Sequence, residues 1–84
     1  MSLPTRKQVQ IAHGEVLKNL RQGTTDMSQE QLAEASGISR EYLSKLERAR
    51  RCPSLVIFIR NSIAMNNDPV LVLSMVMRRL RGER

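Results

Sequence analysis

Arg40, Glu41, Ser44 and Lys45 share the outer side of a segment whose inner side is claimed by Leu43 and Leu46 at helical spacing. Their chemistry is hydrogen bonding rather than bond breaking. An arginine can donate two hydrogen bonds to O6 and N7 of a guanine, a lysine reaches the same atoms, and a glutamate accepts from N4 of a cytosine. Lys18, Arg48, Arg50 and Arg51 are cations of the kind that contact phosphate, which adds affinity without sequence information. Glu41 and Lys45 stand at i and i+4, so a surface pair worth about 0.2–0.5 kcal/mol is the plainer alternative for those two.

Nothing in the chain supports catalysis. The acids are scattered, no serine, histidine and aspartate are grouped, and no glycine-rich phosphate loop is present. His13 is a lone histidine on a helix without acids or thiols at ligand spacing, so no metal site is expected. Cys52 precedes Pro53 with no base nearby and reads as structural. No cofactor and no small-molecule ligand is implied.

These side chains need a scaffold, and the sequence reads as five helices over 5–22, 28–36, 39–48, 54–65 and 69–81, forming one domain over 1–84. Val9, Ala12, Val16, Leu17 and Leu20 make the apolar stripe of the first, which Gly23-Thr24-Thr25-Asp26 ends. Ser28 and Gln31 form a capping box ahead of the second, with Leu32 and Ala33 turned inward. Gly37 is placed to take the left-handed conformation that closes a helix. Ser39, Ser54 and Asp68 cap the remaining three, and Pro69 occupies a favoured first helical position. Leu55–Ile59 and Val70–Leu73 are short β-branched runs compatible with buried strands, but caps and length favour helix.

Composition limits the partners. Aromatic residues are only 2% of the chain against 40% hydrophobic, so the core is aliphatic. The net charge of +6 is local. Residues 1–39 carry four basic and four acidic side chains, whereas 40–60 carry six basic against two acidic. That asymmetry suits a polyanionic partner, a nucleic acid such as double-stranded DNA ahead of an anionic membrane surface, and on charge alone suits a solvated basic surface without a partner equally well. A single cysteine fits a reducing, cytoplasmic setting, and no apolar run reaches membrane-spanning length.

The segment Met27 to Pro53, MSQEQLAEASGISREYLSKLERARRCP, resembles the phage-repressor and Cro-like helix-turn-helix family. The resemblance rests on Ser28-Gln29, Leu32-Ala33, Gly37-Ile38-Ser39 and Leu46-Glu47 taken together, and extends more loosely over Leu17–Arg21 and Ser54–Asn67. It implies an all-α, five-helix, lambda-repressor-like domain and a sequence-specific regulator of transcription. It further implies that Arg40, Glu41, Ser44 and Lys45 read bases. By the same likeness, Gln29 and Ser39 touch phosphate while bracing and capping the recognition helix. Glu47 matches an acid that pairs with an arginine of the first helix, for which Arg21 is the candidate. The stretch 22–27 is one residue longer than the family's usual linker.

The function expected is repression through a near-palindromic operator, in one of three settings: a phage-type repressor, an antitoxin controlling its own operon, or a restriction–modification controller. The rival is a protein-interaction adaptor on the same scaffold. A homodimer is expected because Pro69–Leu80 is apolar nearly all round. With Leu73, Val76, Met77 and Leu80 as the core stripe, Val70, Val72, Met75 and Val76 are the expected interface.

Overall fold

The computed structural model describes residues 2–82; the terminal Glu83 and Arg84 lie outside them. Five α-helices make up the fold: α1 (Arg6–Asn19), α2 (Gln29–Ser36), α3 (Arg40–Glu47), α4 (Leu55–Ala64) and α5 (Pro69–Leu80). Both β-branched runs are helical. Each helix starts on a side-chain cap: the hydroxyls of Thr5, Ser28, Ser39 and Ser54 and the carboxylate of Asp68 accept from first-turn N–H groups. Thr5 and Ser28 complete reciprocal capping boxes with Gln8 and Gln31.

The ends share one device as well. The N–H groups of Gly37 and Ile38 donate to the carbonyls of Glu34 and Ala33. Ala49 and Arg50 repeat this pattern after α3, and Asn66 and Asn67 after α4. Each closure needs its first residue in the left-handed region, and Gly37, Ala49 and Asn66 have φ of 74°, 60° and 61°. Glycine and asparagine take that region readily; alanine does not.

The first helix departs from its expected span. Regular α-helix ends at Asn19, and Leu20–Thr24 form a π-turn in which the Thr25 N–H donates to the Leu20 carbonyl at 3.0 Å. A π-turn holds one more residue than an α-turn.

The core is aliphatic, with Leu17, Leu32, Leu43, Leu46 and Met65 almost completely buried. Gly14 lets α1 approach α3: a Cβ there would lie 2.8 Å from the carbonyl oxygens of both Leu46 and Glu47. Against α1, α5 presents Val72 and Val76, with Met75 and Leu80 packed beside them. Of the expected stripe Val76 and Leu80 do pack on the core and Met77 is half-buried, but Leu73 is 51% exposed and Val72 is buried instead. Apolar residues surround α5, so its own periodicity could not fix its rotation. The Arg79 guanidinium, which donates to the Glu15 carboxylate at 2.8 Å, shows the orientation adopted. Cys52 is exposed rather than part of the core.

His13 is buried beside Phe58, ring centroids 5.8 Å apart, and its Nδ1 has no hydrogen-bond partner among the described residues. Burial pushes its pKa down from 6.5 to about 4, because the charged form would lose its hydration.

Two expectations follow. Gly14→Ala should destabilise the protein by about 1–3 kcal/mol through overpacking, although alanine in an open helix would stabilise it. Ala49→Gly should stabilise it by about 0.5–1 kcal/mol by relieving the left-handed alanine. Urea denaturation of both variants checks these opposite signs. The second expectation concerns pH. The folded-state pKa of His13 lies below the unfolded one, so its contribution is complete above pH 6.5 and is lost as pH falls through about 4. The full loss is roughly 3 kcal/mol. His13→Gln should flatten the stability profile between pH 6.5 and 5, where carboxylates titrate little; parallel profiles for the two proteins would refute it.

Candidate nucleic-acid interface

The outer face of α3 is set by its inner one. Leu43 and Leu46 are completely buried, which leaves Arg40, Glu41 and Lys45 exposed and Ser44 half-buried. Ser39 caps the helix by accepting from the Tyr42 N–H at 3.1 Å, and its side chain sits at the exposed start of α3. No ion pair joins Glu41 to Lys45 among the described residues. Arg40 instead faces Glu30 of α2, Nε to Oε2 3.5 Å, with both side chains well exposed.

A buried polar cluster holds α3 in place. The Arg21 Nε and Nη2 donate to the two Glu47 carboxylate oxygens at 2.5 and 2.9 Å, and its Nη1 donates to the Met27 carbonyl at 2.9 Å. Gln29 Nε2 adds a bond to Glu47 Oε1 at 3.1 Å. The Glu47 carboxylate raises the Arg21 pKa, first by hydrogen bonding and then by its charge. The Gln29 amide is thus engaged as a brace. At the start of α2 the Ser28 hydroxyl accepts from the Gln31 N–H at 3.1 Å.

The other cations are spread more widely. Arg48, Arg50 and Arg51 are exposed around the end of α3, with the Arg48 Nε turned back to the Ser44 carbonyl at 3.3 Å. Lys18 is exposed in the last turn of α1. Lys7, which the sequence did not single out, donates from Nζ to the Ala49 carbonyl at 3.2 Å and joins the start of α1 to the basic loop. No local sequence signal marks that contact, which spans 42 positions.

The expected dimer residues divide. Val72 and Val76 are 3% and 4% exposed within the single chain, so they belong to its own core and cannot meet a partner. Met75 is half-buried against that core. Val70 alone of the four is open, and it is joined by Leu71 and Leu73 of α5 and by Leu55, Val56, Ile59 and Ile63 of α4. Among the described residues no histidine, cysteine, aspartate and glutamate grouping could hold a metal ion, and no helix is long and apolar enough to cross a membrane.

Comparison with known proteins agrees with this geometry. No curated protein matches the sequence significantly. The ClgR clp gene regulator of Corynebacterium glutamicum superposes with a TM-score of 0.81 at 29% identity, over 87% of this chain and 77% of that one. The restriction-modification controller protein C.AhdI of Aeromonas hydrophila has a TM-score of 0.71 at 33% identity, over 75% of this chain and 94% of its own. The controller protein C.Esp1396I shares the fold at 23% identity and a TM-score of 0.79, over 89% of this chain and 96% of its own. The helix-turn-helix family profile matches residues 17–68, more than half of the chain. The chain belongs to the phage-repressor-like helix-turn-helix family of DNA-binding transcription regulators.

Proposed function

We propose that this protein binds a near-palindromic operator as a homodimer and represses transcription from the promoter it covers. The observation that carries the reading is α3 itself: its apolar residues are buried, its charged residues point outward, and a buried ion pair locks it in place. In this reading Arg40, Glu41, Ser44 and Lys45 face base edges in the major groove. Ser39, Lys18, Arg48, Arg50, Arg51 and the start of α2 at Gln29 meet phosphate. Repression follows from occupancy, since a bound dimer excludes polymerase from overlapping DNA. Among the three settings open to such a regulator, the likeness to C.AhdI at 33% identity favours a restriction–modification controller.

The dimer uses the exposed faces of α4 and α5. Seven large apolar side chains there are between 38% and 73% exposed, more than a monomer usually leaves open as a group. Two-fold symmetry would set two α3 helices about 34 Å apart, one turn of DNA.

Selection of bound duplexes from a random pool tests the reading and yields the operator. On the selected site Arg40→Ala should lose about 1–3 kcal/mol of binding, and far less on random DNA. Replacing Arg50 and Arg51 with alanine should flatten log affinity against log salt by roughly 0.9 each and leave site preference unchanged. An adaptor that does not read DNA would enrich no sequence. In analytical ultracentrifugation at micromolar concentration the chain should sediment at twice 9.6 kDa. Ile59→Glu or Val70→Glu should return it to monomer without unfolding it, because both positions are exposed. A monomeric parent chain would refute the dimer.

A further inference from the structure

Glu30, an acid in the first turn of α2, suits the helix dipole, but in the proposed reading the same end of the helix also meets DNA. The start of a helix favours phosphate through its open N–H groups and its dipole, and a carboxylate there repels the phosphate. Glu30 stands in the first turn of α2, fixed in place by the Ser28 and Gln31 capping box. It faces Arg40, the first residue of α3, which is fixed in turn by the Ser39 cap. At 3.5 Å and with 61% and 68% of the two side chains exposed, the Arg40–Glu30 contact is an ion pair that adds little to stability. It biases the guanidinium toward Glu30 without fixing it there.

We propose that Glu30 is a positioning residue that sets the base preference of Arg40. An arginine has five N–H donors, and the contact engages the Nε edge. The Nη1 and Nη2 groups are left to donate end-on to O6 and N7 of a guanine. The carboxylate also competes with phosphate for Arg40, so the side chain is biased toward base contact and away from the backbone. Glu30 thereby lowers affinity for DNA in general and raises discrimination. The inference rests on the DNA-reading role proposed for α3.

The test is a double-mutant cycle between Glu30→Gln and Arg40→Ala. Binding is measured to the selected duplex, to that duplex with the guanine read by Arg40 changed to adenine, and to a random duplex. Glu30→Gln should bind the random duplex more tightly and lower the guanine-over-adenine preference by about 3- to 10-fold, part of what a bidentate arginine contributes. In the Arg40→Ala background the same change should leave that preference unaltered. A preference unmoved by Glu30→Gln, or lowered equally in both backgrounds, would overturn the role of Glu30 alone. A parent chain with no preference for the selected duplex would overturn the DNA reading and this inference together.

Discussion

Glu47 ends the recognition helix with its side chain only 3% exposed. A carboxylate at that end opposes the helix dipole, and taking it out of water costs several kcal/mol unless donors replace the lost hydration. Its position is therefore explained by tertiary contacts and not by α3 itself. Arg21 brings two N–H groups from the π-turn that follows α1, and Gln29 brings one from the start of α2. The Arg21 group also takes up the Met27 carbonyl in the linker. One buried charge thus fixes three chain segments relative to each other. Removing either partner would strand the other at about 3–5 kcal/mol, a large share of the roughly 4–13 kcal/mol expected for a domain of this size.

The pair also lies at the irregular end of the first helix. Arg21 must be buried and aimed at Glu47 while the chain still reaches the Ser28 cap of α2. Where an α-helical span of 5–22 is expected, the π-turn closes the helix, with the Thr25 hydroxyl and the Met27 N–H both donating to the Arg21 carbonyl.

Local chemistry was legible in the sequence and rotation was not. The caps at Ser28, Ser39, Ser54 and Asp68 and the left-handed turn at Gly37 are short-range devices, and each is present in the structure. The outward set on α3 was legible because Leu43 and Leu46 are sharply segregated from polar neighbours. On α5 no such contrast exists. Val70, Leu71, Val72 and Leu73 are equally able to be buried, and the choice fell to contacts with α1 and to Arg79–Glu15. The Glu30–Arg40 pair has no local sequence signal, since its two members lie in different helices. Ala49 carries no glycine-like signal, yet the geometry of the α3 end imposes a positive φ on it.

The apolar excess on α4 and α5 bears on how the proposed dimer would act. Burying half of an aliphatic side chain contributes roughly 1 kcal/mol, so seven such residues from each chain amount to about 14 kcal/mol. Association costs about 4–15 kcal/mol in rigid-body freedom, before side-chain ordering. The two are of the same order, so the strength of association depends on how closely the two faces pack. A half-site offers one α3 and few base contacts, whereas two linked copies add their contacts through one association. Dimerisation and site recognition are then thermodynamically coupled, since a ligand that binds only the dimer shifts the equilibrium toward it. Operator occupancy would rise more steeply than the first power of protein concentration. A regulator that couples the two steps in this way responds sharply to its own abundance.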